Sequence, residues 1–340
     1  MPSIVKTIAK ELNISTASVS RALNDQPGVS EALRMRILEK ARELHYAPNS
    51  TARGLATSRT FAVGFFVREK PGLPTNADPF YSEILHGAEQ VFAQTTYHLA
   101  FASLTEDMLA VPADFRFTRE RRVDGMILAG PDIPSDFILA MLATGTPVVL
   151  VDNQLAFSTA HSISGDDEGG AYLAARHVLD KGHRHIGILS GPDHWSSNRR
   201  RVEGYARALH EAQLPVTVIH AERTTIESGY DAFCQLIAQT PQITAICAVN
   251  DSMALGAIRA ARDMGRLVPD DLSVVGFDDI AWAQLNDPPL TTIHIPKRQM
   301  GIEAANRLLA LMAHPDLAPT NLEVSVRLIE RKSTKPVKAG

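Results

Sequence analysis

The chain has 340 residues, of which 45% are hydrophobic and 21% charged, with a net charge of −4. That length calls for two or three domains, and the composition is that of a globular protein rather than a disordered or fibrous one. No run of about 18 apolar residues occurs, which excludes a membrane-spanning helix.

Residues 1–60 carry nine Lys/Arg against five Asp/Glu, so a basic head precedes an acidic body. A polyanionic partner is expected for the head alone. The start, "MPSIVKTIAKELN", lacks the long apolar segment and the small-residue cleavage site of a secretion signal. Three short helices are expected in the first 46 residues. Val5, Ile8, Ala9 and Leu12 form one apolar stripe at i, i+3, i+4 and i+7. Asn13-Ile14-Ser15 breaks the pattern, and Ser15 can cap a second helix from Thr16. "NDQPG" is a loop of turn formers. Ser30 can cap a third helix, buried through Leu33, Ile37, Ala41 and Leu44, and Pro48 closes the unit.

The second helix, "TASVSRALND", is nearly bare outside its anchors Val19, Ala22 and Leu23. A helix, a tight polar turn and a second helix without outward bulk make a helix-turn-helix. The second helix of such a unit enters a major groove about 12 Å wide, which bulky side chains would obstruct. Thr16, Ala17 and Ser20 can approach bases and phosphates, and Arg21 is the one long donor.

Residues 47–60 read as a linker or as a short helix capped by Asn49, with Ala52, Arg53, Leu55 and Ala56 inside. About eight residues with an internal glycine fold only against a partner. From Phe61, apolar runs such as "FAVGFFV", "DGMILA", "HIGILS" and "LSVVGF" alternate with helical stretches near 80–95, 114–122, 135–143, 168–180, 197–212, 227–239 and 251–264. Buried parallel strands with crossover helices follow, an α/β doubly wound core in two halves. Chain crossings between the halves are expected after "HSISGDDEGG" and near residues 292 and 320. The tail "ERKSTKPVKAG" is polar and reads as frayed.

Enzyme signatures are missing. No dinucleotide or Walker motif follows a strand, and no nucleophile elbow occurs. His183 and His185 lie two apart without recurring ligand partners, so no metal or cofactor is expected. The carboxylate pairs in "GFDD" and "SGDDEGG" suit hydroxyl binding and helix capping as well as acid/base work. Cys234 and Cys247 make no disulfide framework, which fits buried thiols in a reducing cytoplasm.

"VKTIAKELNISTASVSRALND", "VSEALRMRILEKARELHYAPNSTARGLAT", "GHRHIGILSGP", "NDSMALGAIRA" and "PDDLSVVGFDDI" together resemble the LacI/GalR family of bacterial transcription regulators, in family order from about Val5 to Arg331. The resemblance implies an all-α helix-turn-helix headpiece (1–46), a hinge helix (47–60) and an α/β periplasmic-binding-protein-like core. That core would divide into an N-subdomain (61–161 and 293–320) and a C-subdomain (162–292 and 321–331), with a flexible tail at 332–340. It further implies a cytoplasmic homodimer on a pseudo-palindromic operator in double-stranded DNA. A small effector, usually a sugar, would lie between the subdomains.

Carried over residue by residue, the resemblance gives Thr16 and Ala17 to base discrimination and Arg21 to DNA contact. Ser15, Ser20 and Asn24 go to phosphates, and Asn49 and Arg53 join them in the DNA-binding set. Leu55 becomes a minor-groove wedge. Phe80, Asp152, Arg201, Asn250, Asp251 and Asp278 form the expected effector site. Carboxylates, an amide and a guanidinium around a ring suit a polyol, whose hydroxyls both donate and accept. Two departures stand out: Thr224 replaces an aromatic common in the family, and Ala17 leaves only apolar or indirect reading there. No leucine-rich heptad extension follows residue 331, which points to a dimer rather than a tetramer. A sugar transport protein shares the core but lacks residues 1–60, and an α/β enzyme needs a catalytic pair that the sequence does not contain.

Overall fold

The computed structural model describes residues 4–23, 27–44, 46, 59–69, 78–155 and 160–337. Asn24, Asn49, Arg53, Leu55 and the expected hinge helix over 47–58 lie outside the described residues.

The chain divides into two compact units, residues 1–61 and 62–340. In the first, α1 (Ile4–Glu11), α2 (Thr16–Leu23) and α3 (Glu31–Glu43) close around Ile8, Ala9, Val19, Ala22, Ile37 and Ala41. The turn between α1 and α2 is tight because Asn13 takes φ 54° and Ile14 N–H returns to the Ala9 carbonyl at 2.9 Å. Asn tolerates that left-handed conformation better than most residues. Ser15 Oγ then accepts from Ser18 N–H at 3.0 Å, capping α2. Ser30 Oγ accepts from Leu33 N–H at the start of α3.

The second unit runs β1 (Ala62–Arg68), α4 (Pro79–Phe92), β2 (His98–Leu104), α5 (Glu106–Ala110), α6 (Arg116–Arg119), β3 (Gly125–Ala129), α7 (Ser135–Ala143), β4 (Val148–Val151) and β5 (His161–Gly165). It continues through α8 (Asp167–Asp180), β6 (Ile186–Ser190), α9 (Ser196–Glu211), β7 (Thr217–His220), α10 (Ile226–Gln239), β8 (Ala245–Ala248), α11 (Asp251–Asp263) and β9 (Ser273–Asp278). It ends with α12 (Ala281–Leu285), β10 (Thr291–His294), α13 (Lys297–Ala313), β11 (Asn321–Val324) and β12 (Arg327–Ile329). The helix expected near 114–122 is only the four-residue α6, and α5 and a 3-10 turn at Pro112–Asp114 precede it. Pro112 opens the 3-10 turn, where a missing amide proton costs nothing, and separates α5 from α6.

Among the described residues two six-stranded sheets form, in the orders β11-β5-β4-β3-β1-β2 and β12-β10-β9-β8-β6-β7. All ladders are parallel except β10 with β12. Strands buried on both faces explain the unbroken apolar runs: Val63, Phe65, Phe66 and Val67 are all inaccessible. Each such side chain contributes about 1.5–3 kcal/mol.

The crossings fall a few residues after the expected subdomain bounds at 161/162, 292/293 and 320/321, the first of them before the end of "HSISGDDEGG" rather than after it. β5 pairs with β4, and β11 with β5, so residues 162–165 and 321–324 belong to the N-subdomain sheet. β10 pairs with β9, so residues 293 and 294 belong to the C-subdomain sheet. The chain therefore crosses after Gly165, after His294 and after Val324. Helix α13 lies on α4, with Gly301 and Gly87 at the closest approach. A Cβ on Gly301 would sit 1.9 Å from the Ile84 carbonyl oxygen, and one on Gly87 would sit 2.0 Å from that of Arg298.

The tail is not frayed through residue 337. Ser333 is fully buried and exchanges main-chain and side-chain hydrogen bonds with Val274. Thr291 N–H donates to Ser333 Oγ, and Lys335 N–H donates to Ser273 Oγ. His183, between Thr244 and the Lys335 carbonyl, pins the strap from the other side. Residues that look like solvated tail in composition thus satisfy buried polar groups of the C-subdomain.

Candidate functional site

In the headpiece, Ser15, Thr16, Ala17, Ser20 and Arg21 are exposed, while Val19 and Ala22 are buried. The side chains that the helix spends on packing lie on one face, and the small polar ones and Arg21 on the other. Gly28, at φ 97°, lets the following loop pass over the Arg21 side chain, whose Cδ would lie 3.8 Å from a Cβ there.

In the core, a cleft of about 370 Å³ lies between the two sheets. It opens at the carboxyl ends of the strands, where open α/β sheets bind ligands. Phe80, Asp152, Arg201, Asn250 and Asp278 all line it. Asp251 does not.

From the N-subdomain, α4 begins with Asp78, whose Oδ1 accepts from Phe80 and Tyr81 N–H at 2.9 and 3.3 Å. This cap aims both rings toward the cleft. Asp152 follows β4 in the left-handed region, at φ 54°. Its Oδ2 accepts from the Tyr81 hydroxyl at 2.9 Å. Burial pushes the Asp152 carboxyl up to about 7, against the pull of Arg201. Asn153 donates to the Gly130 and Ile133 carbonyls, fixing the neighbouring loop.

From the C-subdomain, Arg201 on α9 is 4% exposed and almost saturated. Nε donates to Asp167 Oδ1 at 2.8 Å, and Nη1 donates to the Val249 carbonyl at 2.5 Å and Asp278 Oδ1 at 3.1 Å. The guanidinium carbon lies 3.9 Å from the Phe277 ring centroid. Burial alone would lower its pKa, but the carboxylates of Asp167, Asp278 and Asp152 hold it above the ordinary value. Nη2 makes no hydrogen bond to a described residue, so it is the group left for a ligand oxygen. Asp278 sits at φ 105° and Asp279 at φ 56°, two successive non-glycine residues in strained backbone. Burial raises the Asp278 carboxyl to about 6.

Asn250 caps α11: its Oδ1 accepts from Met253 N–H and its Nδ2 donates to the Thr224 carbonyl. The next residue turns away from the cavity. Asp251 is inaccessible and accepts from Ile280 N–H at 2.9 Å and Thr292 Oγ1 at 2.5 Å. Asn250 is the extended N-cap (φ −151°, ψ 168°) and Asp251 the first residue of the helix, so the backbone turns between them and only Asn250 lines the cleft. Asp251 thus supports the loop that follows Asp278 and does not line the cleft.

Several lining residues were not legible. The only two tryptophans of the chain, Trp195 and Trp282, both line the cleft, as does Thr224. They bring aromatic side chains to a cleft whose Thr224 position has none. Asp78 carried a sequence signal, since Asp before Pro is a helix-start pattern. Tyr81 carried none. Of the paired carboxylates, Asp166 caps α8 by accepting from Gly169 N–H, while Asp167 pairs with Arg201.

Residues 5–49 match the model for bacterial regulatory proteins of the lacI family, and residues 175–334 match that of a periplasmic binding protein-like domain. The HTH-type transcriptional repressor PurR of Photobacterium profundum is 34% identical over 337 residues, covering 97% of this chain and 98% of its own. The chain belongs to the lacI family of bacterial regulatory proteins.

Among solved structures, the Lac repressor dimer bound to operator and the anti-inducer ONPF is 27% identical with a TM-score of 0.76, covering 96% of this chain and 98% of its own. A LacI family regulator from Enterococcus faecium with bound ribose is 26% identical with a TM-score of 0.70, covering 82% of this chain and all of its own. This lacI-family protein is a DNA-binding transcription regulator whose headpiece joins a ligand-binding type of core. No helix among its described residues is long and apolar enough to cross a membrane.

Proposed function

We propose that this regulator represses transcription as a homodimer on an inverted-repeat operator and that a small polyhydroxylated effector, a sugar, sets its affinity. Thr16, Ala17 and Arg21 read bases, and Ser15 and Ser20 hold phosphates. Asn24, Asn49, Arg53 and Leu55 complete the DNA contacts, with Leu55 as the minor-groove wedge. Phe80, Asp152, Arg201, Asn250 and Asp278 hold the effector. In this reading the cleft binds without catalysing, and the protein acts in the cytoplasm on chromosomal DNA.

The observation that carries the reading is that the cleft draws its polar groups from both sheets: Asp152 from one, Arg201 and Asp278 from the other. A ligand touching all three favours one spacing of the subdomains over others, and so biases a two-state equilibrium. The operator-bound dimer and the ribose-bound regulator among its relatives support the same assignment.

The test has two parts. A sugar panel is screened for thermal stabilisation, since a ligand of the folded state raises the midpoint. Each hit is then added to a fluorescence anisotropy titration with an inverted-repeat operator across a salt series. A hit that shifts operator affinity supports the reading. No salt-sensitive preference for any inverted repeat, with or without sugars, overturns it.

A further inference from the structure

We propose that the effector carries a positively charged nitrogen, seated against Asp152 and enclosed by the aromatic rings of the cleft. The inference rests on the assignment of this cleft as the effector site and adds the charge class of its ligand.

The cleft is short of positive charge. Among the described lining residues, Asp78, Asp132, Asp152, Glu227 and Asp278 are acids, and Arg201 is the one cation. That cation is already divided between Asp278 and Asp167, the latter lying behind the wall. Lys297 is 1% exposed and does not reach the cavity: its ammonium donates to the Asp278 and Asp279 carbonyls, with Glu83 3.6 Å away. Asp78 is occupied in capping α4.

Asp152 is a buried carboxylate of the wall with no ion pair within 4 Å among the described residues, whereas Glu227 is exposed to solvent. It is 8% exposed. One oxygen takes a hydrogen bond from the neutral Tyr81 hydroxyl. The other has no hydrogen-bond partner among the described residues and belongs to a side chain that lines the cavity. A buried carboxylate without a direct ion pair carries a desolvation penalty that raises its proton affinity, and for Asp152 burial outweighs the more distant pull of Arg201.

A ligand filling the cleft removes the water that still solvates Asp152. A neutral polyol returns hydroxyl donors but no charge. A phosphate or a carboxylate adds repulsion. An ammonium returns both a donor and the missing charge. Phe80, Trp195 and Trp282 also line the cleft, and a cation held over an aromatic face gains further attraction once desolvated.

The experiment is calorimetric titration at pH 7.5 of the full chain with matched hexose sets: the 2-amino-2-deoxy sugar, its N-acetyl derivative, the parent hexose and the hexose 6-phosphate. Glucosamine, galactosamine and mannosamine provide three sets, and putrescine and spermidine test amines without a sugar frame. N-acetylation removes the charge while keeping the substituent. The expected result is at least one amine bound tenfold or more tightly than its uncharged counterparts, with the phosphate weakest. Asp152→Asn, checked by its melting transition, is expected to erase that difference.

A parent or N-acetyl sugar that binds as well as the amine overturns the charge inference and leaves the sugar reading intact. An amine preference that survives Asp152→Asn overturns the assignment to Asp152. Binding of putrescine or spermidine without any sugar supports the charge inference and removes the sugar reading. No binding by any amine at millimolar concentration overturns the inference.

Discussion

Lys297, at the start of α13 in the N-subdomain, donates from Nζ to the Asp278 carbonyl at 2.6 Å, across to the strand end that presents Asp278 to the cleft. The same ammonium donates to the Asp279 carbonyl at 2.9 Å. A buried cation on one subdomain thus holds the strained, cleft-facing turn of the other. Hydrogen bonds to charged groups contribute about 1.5–3 kcal/mol each, which is comparable with the cost of the left-handed backbone they restrain. Lys297→Met is therefore expected to weaken effector binding about tenfold or more while operator affinity without effector changes little. Parallel calorimetry and anisotropy titrations measure the two; equal losses in both would show a general folding defect instead.

Removing Arg201 leaves Asp167 and Asp278 buried without their cation. Arg201→Ala should cost about 3–5 kcal/mol of stability, the usual consequence of stranding a buried charge. It should also abolish the effector response. Arg201→Lys keeps the charge but not the planar fork that serves both carboxylates, so it should recover stability more than effector affinity. Urea denaturation and effector titration of both variants separate the two effects.

The acids of the cleft predict the pH dependence of stability. Asp152 is raised to about 7 and Asp278 to about 6, each chiefly by burial. A carboxyl with a raised folded pKa holds its proton over a range where the unfolded chain has lost it. Its contribution is therefore present at low pH and is lost as pH rises from about 4 toward 7, at up to about 1.4 kcal/mol per unit for each group. Asp152→Asn should flatten this decline between pH 5 and 7, measured as melting midpoint against pH. An unchanged profile would mean that Asp152 is ionised throughout.

On the headpiece, Arg21→Ala should weaken operator binding by about 1–3 kcal/mol. Leu55→Ala should lose specific binding far more than non-specific binding, because the wedge acts only where the DNA bends. Anisotropy with operator and with scrambled duplex is the measurement, and equal loss on both DNAs would refute the wedge.

Truncation after Arg331 tests the C-terminal strap. It removes Ser333, which satisfies the Thr291 amide and the Val274 amide and carbonyl, and it uncaps His183. Leaving such groups buried and unpaired costs about 1–3 kcal/mol each. The truncated protein should melt well below the full chain in calorimetry.

The parts of the molecule legible in the sequence are those with local causes. The α2 face could be read because bare and bulky positions alternate at helical spacing. The strands could be read because burial on both faces demands unbroken apolar runs. Helix α13 was not legible: it meets α4 at Gly301 and buries Ala304 and Ala305, and such small residues dilute an apolar stripe. In the site, Arg201 stood out only by resemblance, since its partners Asp167 and Asp278 lie 34 and 77 positions away. Tyr81 and Asp152 are separated by 71 positions and meet only when the sheet forms. Asp251 misled because adjacency in sequence concealed an opposite orientation. Ser333 and Thr334 misled because composition does not reveal which polar groups have buried partners.

The late return of β11 to the first sheet sets an order on biogenesis. Residues 321–324 supply the strand beside β5, so the half of the core begun at residue 62 stays an open template until almost the whole chain has left the ribosome. Neither half can be cut out as a contiguous fragment, and any engineered fusion that delays or displaces residues 321–324 leaves an edge free to pair with another molecule.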